Sequence, residues 1–165
     1  MRLILLVLFL FSSGPVWAMD NLSEQTDESA LIGKAAPDAV LTKTDGTSAG
    51  IIGEQQGKKE ILVFWATWCP HCYEDLGNIN DNLSSVEKKG IKIILVDVGE
   101  TIEDVKNYFN RRQMKLVSFV DEEVALQDTY HLIGVPTLVF IDEKGIIRNV
   151  THEFPSDYED YFRDK

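Results

Sequence analysis

Two cysteines at the junction of an apolar strand and a helix place the strongest constraint on how this chain folds. The apolar run Ile61–Trp65 (ILVFW) has the character of a central strand buried on both faces. Cys69 and Cys72, the only cysteines among the 165 residues, follow it in the stretch FWATWCPHCYE. Apolar residues then recur at helical spacing over 70–88, and Gly90 ends the pattern. The sequence therefore predicts a strand, a turn that carries both cysteines, and a helix.

Further strands follow along the chain. Ile93–Val98 (IILVDV) and Thr137–Ile141 (TLVFI) are apolar runs typical of central strands. Ile146–Val150 comes after a turn that ends at Gly145, and it is predicted to pair with Thr137–Ile141 as an antiparallel hairpin. A shorter strand is predicted at Leu116–Val120. These runs predict a sheet at the centre of the domain.

Three more helices are predicted between and after these strands. Thr101 is placed to cap the first, whose apolar residues recur on one face. The second covers Glu122–His131, and the third covers Ser156–Arg163 with Ser156 as its cap. Strand–helix alternation that ends in a hairpin and a helix predicts an α/β sandwich with a mixed sheet.

The first 18 residues have the pattern of a signal peptide. A positive start is followed by nine apolar residues, Leu3–Phe11, and Val16–Ala18 fits a signal-peptidase site, so cleavage is predicted after Ala18. The apolar run is much shorter than the roughly 20 residues of a membrane span. An uncleaved anchor and translation from Met19 are the alternatives.

The composition of the remaining chain indicates one exported domain. Residues 19–30 are polar and acidic, so they are predicted to form a flexible leader, and residues 31–165 are predicted to form a single domain. The formal net charge of the full chain, −11, argues against nucleic acid or anionic lipid as a partner. A soluble secreted monomer is expected.

The cysteine pair has three possible uses: a structural staple, a metal site or a redox centre. A disulfide across two intervening residues closes so small a loop that it adds little entropic stability. Cys69, His71 and Cys72 include soft ligands for Cu(I) or Zn(II). Zinc normally takes four ligands, or three and a water, and the chain has no second cysteine pair. Redox chemistry is therefore favoured, with copper or zinc binding without redox catalysis as an alternative.

The start of the predicted helix favours a thiolate on Cys69. Amides of the first turn and the positive end of the helix dipole lie beside it, and His71 is in the same turn. Pro70 suits a first-turn position, where an N–H has no partner within the helix. Cys72 lies on the same face and is expected to be more buried. We predict that Cys69 is the attacking sulfur and Cys72 the resolving sulfur.

The cysteine motif and three other segments resemble the thioredoxin superfamily, in particular its exported TlpA/ResA/CcmG-like (redoxin) branch. The segments are residues 33–46 (GKAAPDAVLTKTDG), 96–101 (VDVGET) and 134–145 (GVPTLVFIDEKG). The resemblance covers about residues 31–150. It implies a thioredoxin-like fold: a central mixed β-sheet flanked by helices, with an N-terminal β-hairpin and a short α/β insertion at about 101–120. It also implies that no cofactor is needed, because the redox group is the Cys69–Cys72 disulfide itself.

The resemblance assigns roles to residues outside the cysteine pair. Pro136 takes the cis-proline position, and Val135 before it offers backbone hydrogen bonds to the substrate chain. Asp75 occupies a place where this branch often has a glutamate, and it either assists proton transfer or is an exposed first-turn acid. Val63 stands where many thioredoxins carry a buried aspartate. Trp68 is expected to be an exposed aromatic residue that contacts partners.

These features predict a periplasmic or otherwise extracytoplasmic thiol–disulfide oxidoreductase that exchanges disulfides with exported proteins. A membrane or periplasmic redox partner is expected to recycle the dithiol. The branch implies reduction, for example of the haem-binding cysteines of apocytochromes c. His131 and His152 have no spaced partner in the sequence and are interpreted as surface residues.

The residues between the cysteines favour the opposite direction of electron flow. Pro70-His71 resembles the DsbA-type oxidants, and a histidine that stabilises the reduced thiolate makes the pair more oxidising. A DsbA-like disulfide donor is therefore the alternative, although the chain has no room for the large helical insertion of those proteins. We expect a potential less reducing than that of thioredoxin.

Overall fold

The computed structural model describes residues 28–51 and 57–163. The predicted signal peptide and most of the predicted leader lie outside these residues. Within the described ranges, no helix combines the length and apolar character needed to cross a bilayer.

A mixed sheet of seven strands forms the centre of the domain, in the order β2-β1-β5-β4-β3-β6-β7. The strands are β1 (Val40–Lys43), β2 (Ser48–Gly50), β3 (Lys59–Trp65), β4 (Ile91–Val98), β5 (Ser118–Asp121), β6 (Thr137–Ile141) and β7 (Ile147–Thr151). β3 pairs in parallel with β4 and antiparallel with β6, while β6 and β7 form the predicted hairpin. The strand that leads to the cysteines is thus hydrogen-bonded along both edges.

Helices and short 3-10 segments flank this sheet. They are α1 (Pro70–Lys88), α2 (Ile102–Arg112), α3 (Leu126–Thr129), an N-terminal 3-10 helix (Glu28–Leu31) and a C-terminal 3-10 helix (Tyr158–Phe162). α1 matches its predicted bounds. α2 begins as predicted, because Thr101 accepts a hydrogen bond from the Asp104 backbone N–H at 3.2 Å.

The alternation of side chains along β3 builds two separate apolar cores. Ile61, Val63 and Trp65 point into a core with α1, α2 and the C-terminal 3-10 helix. Leu62 and Phe64 point into a second core on the opposite face. All five side chains are almost completely buried, as expected for a strand covered on both faces.

The helix predicted at Glu122–His131 is shorter than expected. Of the predicted helix at 122–131, only Leu126–Thr129 is helical. The Asp121 carboxylate accepts hydrogen bonds from two backbone N–H groups, and these bonds hold residues 121–125 in a turn before the helix. Val124 in this turn is in the left-handed region, with φ 56°. A regular helix therefore cannot begin at Glu122.

The C-terminal segment differs from its prediction in type and start. It forms a 3-10 helix over Tyr158–Phe162 rather than an α-helix from Ser156. The residue before it is Asp157, whose side chain makes no capping hydrogen bond. Tyr158 and Phe162 are buried in the core that contains α1. Tertiary packing, rather than a capping side chain, therefore stabilises this segment.

The described structure starts at residue 28, three residues before the predicted domain start at residue 31. Glu28–Leu31 form a 3-10 helix in which Glu28 is 6% exposed and Leu31 is 5% exposed. Leu31 packs into the core on the side of the sheet opposite α1. Glu28 and Leu31 are thus buried, and the polar composition of residues 19–30 did not indicate the burial of Glu28.

Candidate active site

The two cysteines lie where β3 meets α1, and they are joined by a disulfide. Their Cα atoms are 5.3 Å apart, and Cys69 and Cys72 are 4% and 1% exposed. After β3 ends at Trp65, the Cys69 N–H donates to the Ala66 carbonyl at 3.2 Å, which closes a turn. Pro70 is the first helical residue, where its missing N–H costs no hydrogen bond.

Cys69 is the N-cap of α1. Its Sγ accepts a hydrogen bond from the Cys72 backbone N–H at 3.1 Å, so a backbone donor already points at this sulfur. Anionic charge is stabilised at such a position by unsatisfied first-turn N–H groups and by the helix dipole. His71 lies in the same turn with an exposed side chain. The geometry can therefore stabilise a thiolate on Cys69 in the reduced state.

The loop before β6 brings the backbone of Val135 to the cysteines. The Val135–Pro136 peptide bond is cis, as predicted. The Val135 carbonyl oxygen lies 3.4 Å from Cys69 Sγ. This approach follows from the sheet, because Thr137 at the start of β6 pairs with Phe64 near the end of β3.

Asp75 is buried rather than exposed, which decides between the two interpretations of its environment. It lies one helical turn after Cys72 and is 7% exposed. Its Oδ1 accepts a hydrogen bond from the Phe154 backbone N–H at 3.0 Å, and its Oδ2 has no hydrogen-bond partner among the described residues. Burial raises the pKa of Asp75, and the Phe154 hydrogen bond opposes this shift.

Glu100 contacts the turn before Cys69, and the sequence did not predict this contact. Glu100 accepts two hydrogen bonds from Thr67, one from its backbone N–H at 2.5 Å and one from its hydroxyl at 2.6 Å. Both contacts hold the segment between β3 and Cys69. Glu100 lies within the VDVGET segment, but nothing in its spacing indicated Thr67 as a partner.

Asp97 supports the same segment from the end of β4. It is fully buried, and its Oδ1 accepts a hydrogen bond from the Glu100 backbone N–H at 3.2 Å. Burial, followed by the proximity of Glu100, raises the pKa of Asp97 to about 8. The sequence feature that points to Asp97 is an acidic residue inside the apolar run IILVDV. Charged residues are seldom fully buried without a specific environment.

Two exposed apolar side chains flank the disulfide. Trp68 is 69% exposed, as predicted, and Ile133 of the cis-proline loop is 68% exposed. Together with Leu132, Gly134 and Val135 they line a groove of about 170 Å³. Trp65, by contrast, is completely buried and donates its indole N–H to the Ser118 hydroxyl at 3.0 Å.

The two other histidines differ in their exposure. His152 is about half exposed, but its ring nitrogens lie 3.1 Å from the Pro136 carbonyl and 3.1 Å from Glu28. His131 is partly buried, with φ 51° and a buried Nδ1 that has no hydrogen-bond partner in the described part of the chain. The surface interpretation stands for the half-exposed His152, whose partners lie far away in the sequence, and is corrected for the partly buried His131.

In residues 28–51 and 57–163, no cluster of three or more His, Cys, Asp or Glu side chains is arranged to hold a metal ion.

Comparison with known proteins supports this description. Residues 32–150 match the AhpC/TSA family. The thiol-disulfide oxidoreductase ResA of Bacillus thuringiensis subsp. konkukian is 32% identical over 128 residues, which cover 77% of this chain and 73% of that protein.

Solved structures show the same fold. StoA from Bacillus subtilis matches with a TM-score of 0.65 and 20% identity, over 78% of this chain and 98% of that one. The pneumococcal exposed lipoprotein thioredoxin Etrx1 from Streptococcus pneumoniae strain TIGR4 matches with a TM-score of 0.64 and 26% identity. The match covers 74% of this chain and 93% of that one. The thioredoxin-like fold is thereby confirmed, and the chain belongs to the AhpC/TSA family as a thiol–disulfide oxidoreductase of the ResA type.

Proposed function

We propose that this protein reduces disulfides of exported proteins outside the cytoplasm, with Cys69 as the attacking sulfur and Cys72 as the resolving sulfur. The observation that carries the proposal is the position of the disulfide: it caps α1 and lies 3.4 Å from the Val135 carbonyl of the cis-proline loop. Substrate backbone can pair with Val135 there while its sulfur meets Cys69.

The reaction transfers two electrons in two exchange steps. The Cys69 thiolate attacks one sulfur of the substrate disulfide, so that bond breaks and the second substrate sulfur leaves as a thiolate. The Cys72 thiolate then attacks Cys69 Sγ in the mixed disulfide and releases the first substrate sulfur. The substrate is reduced to a dithiol, and the protein is left with the Cys69–Cys72 disulfide seen in the structure.

Asp75 is the proposed acceptor of the Cys72 proton. It lies one turn further along the same face of α1, is buried, and has one carboxylate oxygen without a hydrogen-bond partner among the described residues. Its raised pKa brings proton transfer closer to neutral pH. The usual buried aspartate of thioredoxins is replaced by the apolar Val63, which leaves this task to Asp75.

Export and recycling complete the proposal. The predicted signal peptide and the exposed lipoprotein thioredoxin among the similar structures support an extracytoplasmic location. A membrane or periplasmic dithiol partner returns two electrons to the Cys69–Cys72 disulfide after each turnover. Maturation of c-type cytochromes is the proposed context, because the branch that the sequence resembles includes proteins of that process.

Pro70-His71 supports a second candidate, a DsbA-like oxidant, since His71 lies in the first turn of α1 beside Cys69. The reduction potential, measured by equilibration with glutathione, separates the two. A value below about −200 mV supports a reductase, and a value near about −120 mV supports an oxidant.

Cysteine variants test the chemistry itself. Cys69→Ser is expected to abolish exchange with a disulfide-containing peptide, whereas Cys72→Ser is expected to form a mixed disulfide that persists. Exchange by Cys69→Ser at the wild-type rate would refute the assignment of the attacking sulfur. Substrates trapped in cells by Cys72→Ser would then identify the exported partners.

A further inference from the structure

A histidine and a buried glutamate contact the cis-proline loop. Glu28 comes from the N-terminal 3-10 helix and His152 follows β7. The imidazole Nε2 lies 3.1 Å from Glu28 Oε2, and the Nδ1 lies 3.1 Å from the Pro136 carbonyl oxygen. Together they connect the start of the domain to the peptide that follows the cis bond.

The other oxygen of Glu28 contacts both ends of the loop. Glu28 Oε1 accepts hydrogen bonds from the Ile133 backbone N–H at 3.2 Å and from the Thr137 hydroxyl at 3.2 Å. The hydroxyl proton of Thr137 is shared with the Gly134 carbonyl at 2.9 Å. One carboxylate thus contacts the first and last residues of Ile133–Thr137, the segment that contains Val135.

The hydrogen-bond partners of His152 require two donors on the ring. Its two neighbours at 3.1 Å are a carbonyl oxygen and a carboxylate oxygen, and both accept hydrogen bonds. A neutral imidazole carries one N–H and can donate to only one of them. Thr137 Oγ1, 3.4 Å from Nδ1, can donate to an unprotonated Nδ1, but the Pro136 carbonyl then faces a lone pair. Only the imidazolium satisfies both oxygens while Glu28 is ionised.

We propose that His152 and Glu28 are positioning residues that hold the Ile133–Thr137 loop in its substrate-binding geometry while His152 is protonated. The inference rests on the proposed function, because it assumes that this loop receives the substrate chain at Val135. Loss of the proton places a nitrogen lone pair against one of the two oxygens, and the contact loosens. Since a deprotonated ring has one hydrogen-bond donor fewer, substrate binding is expected to weaken as the pH rises.

Other titratable groups surround the same loop. His71 of α1 and His152 line one shallow pocket with Ile133, Gly134 and Pro136. Asp75 of α1 and Glu153, next to His152 in the chain, are the nearby acids, and His131 precedes the loop. Glu28 is the acid in direct contact with the ring.

Glu28→Gln is the decisive variant. Its amide oxygen can replace Oε1 as the acceptor for Ile133 and Thr137, while its NH₂ replaces Oε2 and donates to an unprotonated Nε2. A neutral His152 with its proton on Nδ1 then satisfies every partner. The variant is therefore expected to hold the loop at high pH, whereas His152→Asn can keep the Pro136 contact but loses Glu28.

Apparent KM for a peptide disulfide is measured for each protein from pH 5.5 to 8. Dividing the wild-type KM by the KM of Glu28→Gln at the same pH removes the pH dependence that both proteins share through their thiols. We expect this ratio to rise about three- to tenfold across the range, with kcat changing much less. His152→Asn is expected to have a raised KM at low pH, and Glu153→Gln, which removes a nearby charge without the contact, is expected to follow the wild type.

A second readout does not depend on catalysis. In the oxidised protein, the Ile133 and Thr137 amide resonances are expected to shift with the same midpoint as the His152 ring, and to lose this shift in Glu28→Gln. Absence of exchange activity in every protein would refute the proposed function, while the resonances would still decide the positioning role. A constant KM ratio, or loop resonances that do not follow His152, would overturn the inference.

Discussion

Glu100 binds Thr67 through both of its carboxylate oxygens, one to the backbone N–H and one to the hydroxyl. Thr67 lies in the turn between β3 and Cys69, and Glu100 lies just after β4. The parallel pairing of β3 with β4 places the ends of these strands side by side, with Trp65 opposite Asp97. The position of the cysteine turn is therefore fixed by a loop that contains no cysteine.

Thr67→Val tests this contact. Valine keeps the shape of the side chain and removes the hydroxyl donor to Glu100, so we expect the free energy of unfolding to fall by about 1–2 kcal/mol. Thr47→Val is the matched control, because Thr47 donates its hydroxyl to Asp45 at 2.6 Å in an exposed hairpin turn. Denaturant unfolding of both variants compares them, and equal losses would contradict a special role for the Glu100 contact.

Asp97→Asn tests the buried carboxyl at the end of β4. The pKa of Asp97 is about 8 in the folded protein, far above the ordinary aspartate value, so the folded state binds the extra proton. Stability from this residue is present below about pH 4 and is lost as the pH rises towards about 8. Relative to Asp97→Asn, the wild type is expected to lose up to about 1.4 kcal/mol of unfolding free energy per pH unit in that window.

Unfolding curves at several pH values measure this difference. Asp142→Asn is a useful comparison, because hydrogen bonds from Ile146 and Arg148 lower the pKa of Asp142 against the effect of burial. Its contribution should change only at acidic pH, where the carboxylate is protonated. A wild-type profile parallel to that of Asp97→Asn from pH 4 to 8 would show that Asp97 is ionised in the folded state.

Asp75→Asn tests the proposed proton acceptor of Cys72. The wild-type rate of the resolving step should rise with pH as Asp75 ionises through its raised pKa. Asparagine cannot accept the proton, so we expect this step to slow by at least about tenfold and to lose that part of its pH dependence. Single-turnover reduction of a peptide disulfide measures the step. Glu74→Gln removes the adjacent exposed acid, and an effect as large as that of Asp75→Asn would indicate a general charge effect.

His71→Ala tests the residue between the cysteines. Loss of the imidazole is expected to destabilise the Cys69 thiolate and to lower the reduction potential by about 10–30 mV. His71→Lys places a positive charge in the first turn of α1 and should restore part of the difference. Glutathione equilibration and thiolate absorbance provide the two measurements. Values identical to the wild type for His71→Ala would remove the basis for an oxidising tendency.

Trp68→Ala and Trp65→Phe separate docking from stability. Trp68 is 69% exposed, so its removal is expected to raise KM for a peptide disulfide and to change the unfolding free energy by less than about 0.5 kcal/mol. Trp65 is buried and bonded to Ser118, so Trp65→Phe is expected to cost about 1–3 kcal/mol of stability. An unchanged KM in Trp68→Ala would argue against contact between this residue and the substrate.

Local patterns in the sequence determined the parts of the fold that depend on neighbouring residues. The bounds of α1, the Thr101 cap of α2 and the hairpin of β6 and β7 follow from periodicity, capping and turn residues. The position of the cysteine pair follows from the same signals, because a strand, a proline at the first helical position and an apolar helix face are all local. The cis bond before Pro136 was implied by resemblance rather than by any local rule.

Only the tertiary structure decided the environment of the acids and histidines. Asp75 is buried because the backbone of Phe154, 79 residues away, donates to it. Glu28 and His152 meet because β7 returns to the N-terminal segment beside the cis-proline loop. The sequence shows which groups can ionise, but burial and hydrogen bonds set their protonation, and those are made by residues that only the folded chain brings together.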